Sequence, residues 1–384
     1  MRRLVIMVAA IVLVDTMFYA AIVPLLPYYS HRFDLSKAAA GVLAASYAAG
    51  TLVGSIPAGW LAARVGVRPT ILTGLGLMIV CSVAFGFGQS ILVLDVARFF
   101  QGVGGAASWA AGLAWLMARA PATRRAELIG TALAAAIAGG LLGPVLGAVA
   151  SQTSPKIVFS LVGVLGLVLC FWTLTEKAPA PTGGHGFGAF RPALRNRRVQ
   201  AGMWLTLLGA LLFGTLGVLA PLRMDHLGGS EVAIGAAFLL AAALAASTSP
   251  VIGRMSDRGG WRRPVLFGLV ASAIWVLLLP LPKSAALLFV LIVLADPFFG
   301  VPYPPAGAMI SHGAEHSGLD QGYAFALFNL AWAGGQVIGE AGSAGLAQAT
   351  SDAVPYALLC VLCLATVVAL ARRGPRAQPV SQLS

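Results

Sequence analysis

The chain has 384 residues, of which 59% are hydrophobic and only 10% charged, with a mean hydropathy of +0.88. Soluble domains carry about a quarter charged residues, so a soluble globule is excluded; at about 20 apolar residues per crossing the chain is long enough to span a membrane about a dozen times. The net charge of +12 would suggest a nucleic-acid partner in a soluble protein, but the basic residues fall in short loops between apolar runs, so they read as a topology signal and no nucleic-acid partner is expected.

Twelve apolar runs of helix length follow one another, at 4–29, 38–63, 69–89, 91–118, 124–150, 157–175, 199–222, 231–252, 264–280, 285–310, 322–349 and 353–371. The first lacks a small-residue cleavage site, so it reads as a retained helix and not as a signal peptide. Asp15 lies about 16 Å into this helix, near the midplane of a core about 30 Å thick. Inserting a carboxylate there costs about 2.5–3.5 kcal/mol. Such a residue either binds a proton or cation in a cavity, or is satisfied by neighbouring hydrogen bonds. Tyr19, one turn further on, is an aromatic wall for an organic cation or a packing residue.

After the second run comes Gly59-Trp-Leu-Ala-Ala-Arg64-Val-Gly66-Val-Arg68, and the fourth holds Val-Ala-Arg98-Phe-Phe-Gln101-Gly102-Val-Gly104-Gly105-Ala106. Arg98 is the one basic residue well inside an apolar run; it either acts on a nearby acid or pairs with Asp95, three residues earlier. In the fifth run Gly139, Gly143 and Gly147 recur every four residues around Pro144, a spacing that allows close helix approach and a bend.

The longest polar segment, 176–198, with Arg191, Arg195, Arg197 and Arg198, separates the first six runs from the last six. After the eighth run, Gly253-Arg-Met-Ser-Asp257-Arg258-Gly-Gly260-Trp-Arg262 repeats the earlier loop 194 residues later. In the tenth run Asp296, also near mid-depth, precedes Pro297, Gly300, Pro302, Pro304 and Pro305. This broken helix offers free carbonyls beside an acid, suited to a proton or cation site or to a carboxyl that merely caps distorted backbone. On the eleventh, Asn329, Trp332, Gln336 and Glu340 fall on one face. Glu340 lies toward the far end, as a proton relay or a hydrated rim residue. Cys81, Cys170, Cys360 and Cys363 read as buried thiols. His312 and His316, beside Glu315 in the polar loop after the tenth run, are a poor ligand set, and no metal is expected.

If the N-terminus is cytoplasmic, 19 basic residues lie inside and 5 in the outer loops, which sets both termini inside. With the repeated loop and the fourth-run motif, the whole chain resembles the major facilitator superfamily. The fifth-run glycines resemble that family's antiporter motif. Val14-Asp15-Thr16-Met17 with Ile22-Val23-Pro24-Leu25-Leu26-Pro27 is similar to the first helix of its twelve-helix drug/proton antiporters, relatives of the vesicular monoamine transporters. Two departures stand out: Ala63 replaces the acid of the first loop signature, and Asn329 stands where the amine transporters carry an acid.

The expected fold is therefore an all-α polytopic membrane protein of twelve transmembrane helices in two pseudo-symmetric halves, 1–175 and 199–384, joined by a basic cytoplasmic linker, 176–198. The resemblance implies a monomer in the plasma membrane that exports a small cationic or amphiphilic organic molecule by alternating access. Depth and helix face, and for Arg98 the resemblance, point to proton coupling through Asp15, Asp296, Arg98 and Glu340 and to substrate contact with Asp15, Tyr19, Asp296, Asn329, Trp332 and Gln336. Gly59, Arg64, Gly66, Arg68, Gly253, Asp257, Arg258, Arg262 and the fifth-run motif would serve conformational change. No ATP-binding loop is present, so an ion gradient is the energy source and no cofactor is expected; no nucleophile–base pair points to an enzyme. A proton symporter or facilitator for a sugar, nucleoside or other metabolite is the first alternative. A non-transporting receptor or scaffold on the same fold is the second.

Overall fold

The structure, a computed structural model, describes residues 1–120, 125–181, 183, 190–319 and 321–372, with the backbone alone at 125–127, 129, 190, 249–259, 321 and 322. The first crossing consists of α1 (Arg2–Ala20) and α2 (Ile22–Phe33). Then follow α3 (Lys37–Arg64), α4 (Val67–Phe87), α5 (Ile91–Arg119), α6 (Arg125–Gln152) and α7 (Pro155–Thr175). A short α8 (Phe190–Arg195) leads into the second half: α9 (Arg197–His226), α10 (Glu231–Gly259) and α11 (Arg262–Leu278). The tenth crossing is α12 (Ala285–Gly300) plus α13 (Tyr303–Glu315). The eleventh is α14 (Gln321–Val337), a π turn (Ile338–Gly342) and α15 (Ser343–Ala349), and α16 (Ala353–Arg372) closes the bundle. Twelve crossings place both described ends of the chain at one end of the bundle, here the termini end; the other is the distal end.

The sequence repeat is a structural repeat. Ser36 and Ser90 cap α3 and α5 by accepting from Ala39 and Val93 N–H, and 194 residues on Ser230 and Ser284 do the same for α10 and α12. Serine at this position satisfies an otherwise orphaned amide. Gly66 (φ 110°) and Gly260 (φ 78°), also 194 apart, turn the chain at the termini end in a conformation that side chains rarely adopt. Arg68 and Arg262 follow them as a matched pair. Arg68 donates to the Glu176 carbonyl at the end of α7, and Arg262 Nη2 donates to Leu370 O and Ala371 O at the end of α16, at 2.6 and 2.8 Å. Each guanidinium thus meets the negative end of a helix dipole.

One apolar cluster fills the first half, centred on Phe18, Phe85 and Phe159 from α1, α4 and α7, with centroids 5.0–6.4 Å apart. A second, built on Leu208, Leu212, Leu269, Ile292 and Phe299, fills the other. Large side chains such as Leu92, Phe171 and Phe267 are exposed, as a bilayer-facing surface requires.

Several boundaries differ from the sequence expectation. The polar linker contains α8, because Ala193 buries against Val199, Ile310 and Ala314, and α9 begins two residues early, where Asn196 Oδ1 accepts from Arg198 N–H. Linker residues 182 and 184–189 lie outside the described residues. His312 sits within α13 and not in a loop, since the helix restarted after Pro302 runs on to Glu315. Cys170 is half-buried, unlike the other three cysteines.

Candidate functional site

Asp15 is 3% exposed and both its oxygens are held. Tyr47 Oη donates to Oδ1 and Oδ2 at 2.9 and 2.8 Å, and Trp109 Nε1 donates to Oδ2 at 2.9 Å. Glycines make this geometry possible. A Cβ at Gly102 would run into the Tyr47 carbonyl, and one at Gly105 would lie 2.7 Å from Asp15 Oδ1, so the fourth-crossing glycine run lets α5 close on α3 with the carboxylate between them.

Arg98 is 1% exposed and makes no ion pair with Asp95. Its Nη1 and Nη2 donate, at 3.4 Å each, to the carbonyls of Phe18 and Tyr19 near the end of α1, and its guanidinium lies 5.3 Å from the Tyr47 ring centroid.

Glu340 is 4% exposed, which excludes the hydrated rim. It sits in the π turn Ile338–Gly342, an irregularity frequent at functional sites. Tyr19 Oη donates to its Oε1 at 3.3 Å across the seam between halves, while Oε2 is buried without a described partner. The Tyr19 ring lies 5.0 Å from that of Tyr47 and 5.3 Å from Trp332. Asp15, Tyr47, Tyr19, Trp332 and Glu340 therefore form one continuous polar and aromatic cluster, with Arg98 behind it.

The remaining sequence candidates divide. Asp296 is 8% exposed and accepts no hydrogen bond among the described residues; it belongs to a separate cluster. On the same crossing Tyr303, 194 residues after Trp109, has its ring beside Phe213 and Phe328 and its hydroxyl without a partner among the described residues. No described contact joins Asp296 to Asp15, so the two acids do not share a site in this conformation. The eleventh-crossing stripe also splits. Trp332 and Glu340 meet the first half, whereas Gln336 turns to Gly214 of α9 with its Oε1 unpartnered among the described residues, and Asn329 is half-buried.

Gly139, Gly143 and Gly147 pack α6 onto α1, meeting Leu13 O, Ala20 Cβ and Ala21 O, while Pro144 O and Ala148 Cβ lie against Gly235 of the other half. Nothing lies within 4 Å of a Cβ at Gly59, and the exposed Arg64 stacks 5.2 Å over Trp60. The carbonyl of Ala63, at the missing acid, accepts from Gly183 N–H at 3.2 Å, so the linker docks there. Gly253, Asp257 and Arg258 fall where only backbone is described.

Sequence reasoning missed Tyr47, Trp109 and Tyr303. The available signal was an aromatic residue with a polar tip inside an apolar run, but Trp115 carries the same signal with its indole N–H unpartnered among the described residues.

Depth along the helices orders the cluster. Counting from the termini end at 1.5 Å per residue, Phe325 stands at about 6 Å, Trp109 about 15, Asp15 about 20, Tyr19 about 26, Glu340 about 29 and Arg98 about 32 Å. Trp109 stacks on Phe325 of the second half, with centroids 5.5 Å and planes 12° apart. Asp15 thus lies between a cross-seam aromatic contact on its termini side and the Tyr19–Glu340 contact on its distal side.

The sequence profile of the Major Facilitator Superfamily matches residues 8–222 and 202–384. The chain belongs to this family. Over 387 residues it is 25% identical to the uncharacterized MFS-type transporter YcaD of Escherichia coli O6:K15:H31, covering 96% of this chain and 95% of that one. A 140-residue stretch is 35% identical to the MFS-type transporter ppzB of Metarhizium rileyi, and spans only 29% of that relative's length. Among solved structures, a D-xylose-proton symporter superposes with a TM-score of 0.76 at 15% identity, covering 97% of this chain and 98% of that one. A bacterial homolog of the human lysosomal transporter Spinster, inward-facing and unoccupied, gives 0.76 at 16% identity over 96% and 94%. The family match makes this a membrane transporter, and the solved structures show that it has the major facilitator fold.

Proposed function

We propose that this transporter is a proton-coupled antiporter that exports small cationic or amphiphilic organic molecules across the plasma membrane, as a monomer and without a cofactor. The termini end is cytoplasmic in this reading, supported by the excess of basic residues in its loops. The observation that carries it is Asp15, a buried carboxylate at mid-depth with its donors on one half and the other half immediately beyond them. A carboxylate so placed is functional by default in a membrane, and it accepts a proton or an organic cation but not both. Tyr19, Tyr47 and Trp332 offer ring faces to such a cation. Protons entering from outside neutralise Asp15 or Asp296, displace the substrate outward and reset the carrier.

The test is a paired measurement. Cells lacking the protein should retain a fluorescent organic cation that producing cells expel, and proteoliposomes should show proton movement when the cation is added. Proton flux that runs at the same rate with and without substrate, or loss of uptake in the deleted strain, would overturn the proposal.

A further inference from the structure

Trp109 does two things with one side chain. Its indole N–H donates to Asp15 Oδ2 within the first half, and its ring lies flat on Phe325 of the second. The stack sits closer to the termini end than Asp15 does, and Phe325 continues through Phe328 (6.1 Å) and Tyr303 (6.1 Å) to Phe213 (5.9 Å), an aromatic row fixed to the second half. From these contacts we infer that Trp109 is a positioning residue that makes closure of the cytoplasmic end depend on whether Asp15 is free.

The physical chain is short. An ionised, unoccupied Asp15 offers Oδ2 as an acceptor, and a hydrogen bond to a charged group is about twice as strong as a neutral one. That bond fixes the indole, a rigid ring with two torsions, in the orientation that meets Phe325. A proton on Oδ2, or a cation beside it, competes for the same lone pairs and frees the ring to leave the stack. The other groups facing Asp15 do not reproduce this link. Tyr47 on α3 donates to both oxygens but touches no described ring of the second half other than through Tyr19; Arg98 on α5 is tied to α1 carbonyls; Glu340 is held by Tyr19 on the distal side. The consequence is that the empty, ionised carrier is the form held shut at this end. An exchanger needs that property, because isomerisation of the empty carrier short-circuits the coupling. The inference rests on the reading of Asp15 as the proton and cation site, although its test requires no transport.

Spin labels at Val65→Cys and Glu315→Cys, both exposed at the termini end of opposite halves, would report its opening in bilayer nanodiscs with the four native cysteines replaced. Trp109→Phe keeps a ring for the stack and loses the donor; Phe325→Leu keeps the donor and loses the stack. Each should raise the open-to-closed ratio about tenfold, the scale expected when a buried site gives up one charge-assisted hydrogen bond or one aromatic stack. Asp15→Asn should do likewise, and combining it with Trp109→Phe should add little, since both remove one link. In the unmutated pair acidification should lengthen the distance, and in Asp15→Asn it should not. A distance distribution in Trp109→Phe equal to wild type, additive effects in the double variant, or a wild-type distance that ignores pH would each overturn the inference. If the gate responds while proteoliposomes show no substrate-linked proton flux, the transport reading fails and the gate stands.

Discussion

His31 and Asp225 occupy the same position in the two halves, 194 residues apart, and they touch: His31 Nε2 lies 2.8 Å from Asp225 Oδ2. Equivalent positions of a two-fold repeat meet only at its axis, so this contact marks where the pseudo-symmetry axis leaves the distal end. Pro27 and Pro221, and the left-handed Asp34 and Gly228, are matched around it by the same offset. Two further clasps flank the axis: Lys37 pairs with Asp352, and Gln152 Nε2 donates to Glu231 Oε2 at 3.4 Å. Lys37 and Glu231 are again 194 apart.

These clasps hold the distal end closed. Lys37→Gln should raise distal opening about threefold to fivefold, the worth of about 1 kcal/mol for a half-buried pair, and His31→Gln should do less because His31 is 70% exposed. Labelling of a cysteine placed at Ala344, which packs against Gly41 inside the seam, measures this from the distal side.

The glycines of α5 and α6 are separable by what a methyl group would meet. Gly102→Ala and Gly143→Ala should each destabilise by about 1–3 kcal/mol through overpacking, visible as a lower melting temperature in detergent. Gly140→Ala, with nothing within 4 Å of the new carbon, should be neutral or stabilise by up to about 1 kcal/mol. Equal effects at Gly140 and Gly143 would show that helix flexibility, and not close approach, is what the glycines supply.

Tyr47→Phe removes a donor shared by both Asp15 oxygens. The expected cost is about 1.5–3 kcal/mol of stability, read from thermal unfolding, and it should vanish in an Asp15→Leu background where no carboxylate is left to satisfy.

The matched arginines give a local prediction. Arg262→Gln should speed amide exchange in the last turn of α16, and Arg68→Gln in the last turn of α7, by the few-fold expected from losing about 0.3–1 kcal/mol at a helix terminus. Neither should alter exchange at the other site.

Much of this was legible in the sequence, for physical reasons that also mark where legibility stops. Hydropathy and length place the crossings because backbone groups in lipid leave no choice but helix, and rise per residue places Asp15 and Glu340 in depth. Depth is not environment. Glu340 is buried and not at a rim, because the π turn around it rotates the end of its helix and the second half leans on α3 at Gly41. The partners of Asp15 were hidden since Tyr47 and Trp109 come from helices 32 and 94 residues away, and periodicity within a helix carries no information on which helix it will face. The same limit explains Asp296: counted from the termini end at 1.5 Å per residue it stands at about 29 Å, deeper than Asp15, and nothing in its own helix shows that it faces a separate cluster.

The most direct test of the central claim is proton movement in proteoliposomes under an imposed pH gradient, triggered by organic cations, in wild type and Asp15→Asn. Asp15 as the shared site predicts a substrate-induced signal in the wild type that the variant loses while remaining folded. A signal of undiminished size in Asp15→Asn would contradict it and move the coupling to Asp296 or Glu340.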